Sequence, residues 1–195
     1  MFTGIIEAIG KVTSLGNHKG NLELWITSPI SSELKIDQSV SHNGVCLTVV
    51  GLQEGKHRVT AIDETLSKTN LADLQVGDTI NLERCMPANG RFDGHIVQGH
   101  VDQTGDCISV MEQNGSWLFE FRYKPNLQNI IVEKGSICIN GISLTAFDAV
   151  DDTFKVAIIP YTFDNTNIHT VKPGTLVNLE FDIVGKYVAK LMKMS

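Results

Sequence analysis

Cys46 and Ser143 stand at the same place in two near-copies of one motif, and their side chains differ in chemistry. The first copy reads His42-Asn43-Gly44-Val45-Cys46-Leu47-Thr48; ninety-seven residues later the chain reads Ile139-Asn140-Gly141-Ile142-Ser143-Leu144-Thr145. A thiol is a weak hydrogen-bond partner and a hydroxyl a stronger one, so two similar pockets would face their ligands with different chemical groups. A second asymmetry lies at the start of each half. At an offset of ninety-five, Gly4-Ile5-Ile6-Glu7 aligns with Gly99-His100-Val101-Asp102, so that His100 replaces Ile5. An imidazole with a near-neutral pKa is suited to moving protons. Ser39, seven residues before Cys46, offers a hydroxyl to the same region. Each residue also has a plainer reading: Cys46 as a buried core cysteine, His100 as a surface histidine, Ser39 as an ordinary turn serine.

The elements that must position these residues follow from the repeat. Asn-Gly tolerates positive φ, so Asn43-Gly44 and Asn140-Gly141 mark tight turns leading into strands. Between residues 39 and 83 the copies align without a gap, from Ser39/Ser136 through Val59/Val156, Thr65/Thr162 and Asn70/Asn167 to Asn81-Leu82-Glu83 over Asn178-Leu179-Glu180. So long a period means domain duplication rather than a solenoid. Within the first half, Ile5 to Ser14, Leu22 to Thr27, Cys46 to Val50, His57 to Asp63 and Thr79 to Arg84 read as strands. Ser31 to Leu34 reads as one helical turn, Gly51 to Gly55 as a loop, and Glu64 to Leu74 as a short helix and turn. About six short strands per half, without long helical patterns, point to a small antiparallel closed barrel. Pro87-Ala88-Asn89-Gly90 is a turn-rich junction. The expected domains are therefore 1–87, 91–182 and a terminal segment 183–195. In the last, Ile183, Val184, Tyr187, Val188, Leu191 and Met192 recur at helical spacing, with Lys186, Lys190 and Lys193 on the other side. That stripe must bury itself on its own barrel or on a neighbouring chain.

The net charge of −6 and the lack of a basic cluster argue against a nucleic-acid partner. The absence of a long apolar run argues against a membrane. Four cysteines without C-x-x-C spacing suit free thiols in a reducing compartment, which makes cytoplasm the expected location. The scattered histidines lack zinc spacing, so no structural metal is expected.

Four strings in order, Met1-Phe2-Thr3-Gly4-Ile5, His42-Asn43-Gly44-x-Cys46-Leu47-Thr48, Gly94-His95-x-x-x-Gly99-His100-Val101 and Gly141-Ile142-Ser143-Leu144-Thr145, resemble the riboflavin synthase family over essentially the whole chain. The resemblance implies an all-β fold of two duplicated six-stranded antiparallel Greek-key barrels plus a C-terminal α-helix. It also implies a cofactor-free enzyme that moves a four-carbon unit between two molecules of 6,7-dimethyl-8-ribityllumazine, giving riboflavin and a ribitylamino-pyrimidinedione. A homotrimer with sites shared between subunits is implied as well, while association with lumazine synthase is left open. The other class with this fold is a lumazine- or flavin-binding antenna protein without turnover. Those relatives are degraded in one or both of their Leu-Thr segments and lack the equivalent of Cys46, whereas both segments are intact here. Asp93, where the family often has glycine, and Gln98, where a small hydroxyl residue is common, depart from the pattern.

The resemblance assigns catalytic roles to Cys46, Ser39, His100, Ser143, Thr145 and Asp182, although Asp182 also reads as a helix N-cap. Lys134 matches a family position that reaches the ligand, or is simply solvated. The expected binding floor of the first barrel combines Gly4-Ile5-Ile6 with Cys46-Leu47-Thr48 and Thr60-Ala61-Ile62-Asp63-Glu64-Thr65. That of the second combines Gly99-His100-Val101 with Ser143-Leu144-Thr145 and Ile159-Pro160-Tyr161-Thr162-Phe163-Asp164. Thr48 and Thr145 would meet the polar edge of a pteridine, though β-propensity alone also accounts for them.

Overall fold

The computed structural model describes residues 1–127 and 129–193. Gln128 and residues 194 and 195, in the expected second barrel and terminal segment, lie outside the described residues. The first half folds as β1 (Ala8–His18), β2 (Asn21–Thr27), β3 (Ser39–His42), β4 (Val45–Gln53), β5 (Lys56–Ala61), the short helix α1 (Asp63–Lys68) and β6 (Thr79–Arg84). The second half repeats this with β7 (Gln103–Gln113), β8 (Ser116–Arg122), β9 (Ser136–Ile139), β10 (Ile142–Val150), β11 (Thr153–Ile158), α2 (Pro160–Asn165) and β12 (Leu176–Phe181), and α3 (Ile183–Met192) follows. Each half closes as an antiparallel barrel, ordered β1-β2-β5-β4-β3-β6 and, starting from a different strand, β10-β11-β8-β7-β12-β9. Closure leaves no open sheet edge. Gly51 to Gln53, expected as loop, instead extend β4. The pairing of β4 with β5 shifts register between Val49 and Gly51, and the glycine lets Arg58 lie within 3.0 Å of where a Cβ would be.

The cores differ in kind. Leu24 and Ile26 line the first, while Phe119 and Phe121 take the equivalent places in the second and stack at 6.1 Å. The first barrel also buries two histidines. His42 Nε2 and His57 Nε2 lie 2.9 Å apart, with the Val40 carbonyl 3.0 Å from His42 Nδ1 and the Ser31 hydroxyl 2.9 Å from His57 Nδ1. Ile139 and Phe154 occupy those places in the second barrel.

A pseudo-two-fold of asparagines joins the halves. Asn81 Nδ2 donates to the Asn140 carbonyl at 2.9 Å, and Asn178 Nδ2 donates to the Asn43 carbonyl at 2.8 Å. Asn81 and Asn178 each also accept the amide of Asn167 or Asn70 from the opposite half, both at 2.7 Å. These bonds satisfy buried polar groups that would otherwise oppose docking of the halves.

The terminal helix corrects one expectation. Asp182 caps it by accepting the Val184 amide at 2.9 Å. Its Lys186 side chain turns inward and pairs with Asp102 at 2.6 Å, rather than lying on a solvated polar face. A short carboxylate contact outweighs the helical pattern at that position. Val184, Tyr187, Leu191 and Met192 are instead 57, 66, 64 and 75 % exposed, so the apolar stripe does not bury itself on its own barrel.

Candidate active site

The β3–β4 hairpin sets the geometry of the first site. Val40 pairs with Leu47 on the core side, so the alternating residues Ser39, Ser41, Cys46 and Thr48 share the outer face of the barrel wall. Ser136, Cys138, Ser143 and Thr145 repeat that face on β9 and β10. Both sites therefore lie on the outside of a barrel.

Each outer face is covered by a segment from the other half, which corrects the expected pairing. The Cys46 amide donates to the Gly99 carbonyl at 2.8 Å, and the Ser143 amide donates to the Gly4 carbonyl at 2.8 Å. Gly4-Ile5-Ile6 thus belongs with Ser143, and Gly99-His100-Val101 with Cys46. Ile6 packs against the second core and Val101 against the first. The glycines are required by contact as well as by φ of +78° and +79°: a Cβ on Gly4 would stand 2.6 Å from Ser143 Cβ, and one on Gly99 2.6 Å from Cys46 Cβ.

Two buried carboxylates hold these segments in place. Glu83 accepts from the Thr3 amide, the Thr3 hydroxyl and the Gly4 amide at 2.7, 2.9 and 3.0 Å. Glu180 accepts from the amides of Gln98, Gly99 and His100 at 2.6, 2.9 and 2.8 Å. Burial raises both carboxyl pKa values, and the converging amide donors work against that rise.

On the second barrel the outer face opens into a cavity of about 580 Å³. Lys134, Ser143, Leu144, Thr145, Ile159 and Thr162, all expected, line it together with Asp93, Gly94, Ser136, Phe147 and Ala157. Lys134 Nζ lies 4.7 Å over the Phe147 ring. The rest of the expected segment is directed elsewhere because α2 begins at Pro160. Tyr161 is 74 % exposed, Phe163 stacks on Trp117 at 3.7 Å, and neither Pro160 nor Asp164 lines the cavity. In the first half Asp63 and Glu64 likewise lie on α1, where Glu64 pairs with Lys68 at 2.9 Å.

The two sites differ in the partner given to their central residue. Cys46 is half-buried, and burial pushes its thiol pKa up while the nearby Ser39 hydroxyl acts in the opposite direction. His100 is exposed on the Cys46 side. Ser143 Oγ, by contrast, lies 2.7 Å from His95 Nδ1. Burial lowers the His95 pKa, and the Asp182 carboxylate pulls it back up. Sequence reading gave His95 no role, although it stands in the Gly94-His95 string. Gly94 places it, since a Cβ there would fall 2.1 Å from the Thr3 carbonyl, which accepts the His95 amide at 3.1 Å.

Residues 3–85 and 98–182 each match the lumazine binding domain family. The riboflavin synthase of Actinobacillus pleuropneumoniae is 42 % identical over 195 residues, covering 98 % of this chain and 90 % of that protein. The chain belongs to the riboflavin synthase family. A second family member, from Bacillus subtilis (strain 168), is 38 % identical over 193 residues, with 98 % and 90 % of the two chains covered. The crystal structure of LumP complexed with riboflavin has the same fold at a TM-score of 0.86 and 24 % identity, covering 93 % of this chain and 99 % of that one.

Proposed function

We infer that this chain is a riboflavin synthase, dismutating two molecules of 6,7-dimethyl-8-ribityllumazine into riboflavin and 5-amino-6-ribitylamino-pyrimidinedione by transfer of a four-carbon unit. The observation that carries this reading is a pair of equivalent but chemically unequal sites, Cys46 beside Ser39 on one barrel, Ser143 with Thr145 and His95 on the other. Two copies of one substrate must react as donor and acceptor, and unlike sites impose that difference. The lumazine ring is electron-poor and its C7 methyl group acidic, so holding two rings face to face accounts for much of the rate. Proton transfer and hydrogen bonding supply the rest. Thr145 and Lys134 meet the polar edge of the ring or its ribityl chain in the second cavity, and Leu144 and Ile159 cover its faces.

We propose that the two rings stack where the first barrel of one subunit meets the second barrel of another. The exposed stripe on α3 suits packing against copies of itself, and we propose a homotrimer on that basis. Free thiols support a reading of the chain as cytoplasmic. Among the described residues no helix is long and apolar enough to cross a membrane.

An antenna protein that binds lumazine or flavin without turnover is the second reading, favoured by the likeness to LumP in fold. Mixing purified protein with the lumazine and following riboflavin absorbance, with and without a chelator, separates the two. Turnover that survives the chelator is expected; tight binding without riboflavin would establish the antenna reading.

A further inference from the structure

Glu7 and Asp102 hold equivalent places at the ends of the two covering segments, yet the cation that pairs with each comes from a different part of the chain. The Glu7 amide donates to the Leu82 carbonyl and the Asp102 amide to the Leu179 carbonyl, both at 2.9 Å, so the backbones match. Glu7 accepts the Arg84 amide at 3.1 Å and Arg84 Nε at 2.7 Å, a pairing made within the first barrel. Asp102 accepts the equivalent amide, that of Phe181, at 2.9 Å, but the Phe181 side chain packs in the second core and brings no charge. Lys186 of α3 supplies it, at 2.6 Å. We propose that Lys186 is a positioning residue for the first-barrel site: from α3 it clamps segment 98–102 over Cys46, so that this site closes only when the helix is seated, whereas the Ser143 site closes on Arg84 and needs no helix.

The clamp acts on the segment at two points. Asp102 stands immediately before β7, so pinning its carboxylate fixes the segment's exit. Glu180 fixes its middle by accepting the amides of Gln98, Gly99 and His100, and the Gly99 carbonyl in turn accepts the Cys46 amide at 2.8 Å. Burial opposes ionisation of Glu180 and the Asp102 charge adds to that opposition, while the Lys186 charge favours the carboxylate that the three amides require. Removing Lys186 leaves Asp102 and Glu180 as neighbouring like charges, and a largely buried carboxylate that loses its partner is destabilising. The same helix turns Val184, Tyr187 and Met192 outward, the face assigned above to packing between copies, so its inward lysine ties assembly to the Cys46 site. Only the expected effect on turnover rests on the riboflavin synthase reading; the clamp stands on the contacts.

Amide hydrogen exchange of the full chain, read residue by residue by NMR, tests the clamp. Lys186→Met keeps an apolar stem but not the charge. In it the amides of Gly99, His100 and Cys46 should exchange about tenfold faster or more, the scale of a lost hydrogen bond to a charged group, while those of Gly4 and Ser143 keep their wild-type rates. Arg84→Met should do the reverse, and Lys186→Arg should restore slow exchange at Cys46. Asp102→Asn breaks the same pair from the segment's side while still accepting the Phe181 amide, and adding it to Lys186→Met should cause no further loss of protection. A general loosening of the fold or of the assembly would speed exchange over both sites alike. That outcome overturns the proposal, as do wild-type rates at Cys46 in both Lys186→Met and Asp102→Asn. Riboflavin formation should fall about tenfold in kcat in Lys186→Met and recover in Lys186→Arg. Wild-type protein that forms no riboflavin while the exchange pattern holds would refute the synthase reading and leave the clamp standing.

Discussion

The backbone amide of Cys46 is held by Gly99, a residue of the other half, through a 2.8 Å hydrogen bond to the Gly99 carbonyl. Gly4 does the same for Ser143. Each site is thus built from both repeats, and neither half carries a complete one.

Replacing Gly99 by Ala forces a side chain into φ of +79° and against Cys46 Cβ. The left-handed conformation alone costs about 1–2 kcal/mol, and displacement of the wall adds to it. We expect a stability loss of about 2–4 kcal/mol and at least a tenfold fall in turnover. Gly4→Ala should cost a similar amount through Ser143. Thermal melts and riboflavin assays of the two variants check this, and wild-type values for either would show that the covering segments are not required.

Asn81→Ala removes a donor to the Asn140 carbonyl and the acceptor of the Asn167 amide, leaving two buried groups unpaired. At about 1–3 kcal/mol per orphaned group, the loss should be about 3 kcal/mol, and the pseudo-two-fold predicts the same for Asn178→Ala. Calorimetry should also show the single transition splitting or broadening as the halves uncouple. A cost below about 1 kcal/mol for both variants would place the coupling elsewhere.

The duplication, the barrels and the tight turns were legible because identical residues at a fixed offset meet identical backbone demands: Asn43 and Asn140 have φ of +48° and +46°. The crossing of Gly4 and Gly99 was not legible. Aligning two repeats shows which residues are equivalent, but a two-fold axis lets each segment serve either half. His95 escaped for a related reason. Its partner lies 48 residues away in the chain, and only the close approach permitted at Gly94 brings the two together. The inward turn of Lys186 was hidden because helical periodicity records apolar spacing and not the carboxylate that attracts a lysine stem across its own barrel.

The buried pair His42 and His57 should make the first barrel the acid-sensitive one. Burial lowers their pKa values to about 3 and about 4, from 6.5. Both are held neutral in the folded state, so their stabilising contribution is complete above pH 6.5. It is lost progressively as pH falls from there towards 4 and 3, because the unfolded chain takes up the protons first. By pH 5 the loss is on the order of 2 kcal/mol per histidine. Glu83 and Glu180 titrate with raised pKa values and shift stability in the opposite direction, but they are common to wild type and variant. The double variant His42→Ile with His57→Phe copies the second barrel's residues and should flatten the decline in Tm between pH 7 and 5. An unchanged slope would locate the acid sensitivity elsewhere.

Deleting the chain after Asp182 tests what the exposed face of α3 is for. The deletion removes the Lys186 pairing with Asp102 and the buried Ala189, two contacts on the rim of a barrel whose core is complete without them. A helix of ten residues is marginal alone in water, so the exposed face carrying Val184, Tyr187 and Met192 has to be covered by something for the helix to persist. Copies of the same helix supply that cover if the chain is a trimer, and the first barrel of one subunit then meets the second barrel of the next. The truncated chain should keep its circular dichroism spectrum and bind lumazine with a Kd within about threefold of wild type. It should also sediment as a smaller species and lose at least 90 % of turnover, about 1.4 kcal/mol or more in activation free energy, because single barrels hold one ring but do not stack two. Truncated protein that remains trimeric would move the interface away from α3, and a monomer with full activity would remove the need for a shared site.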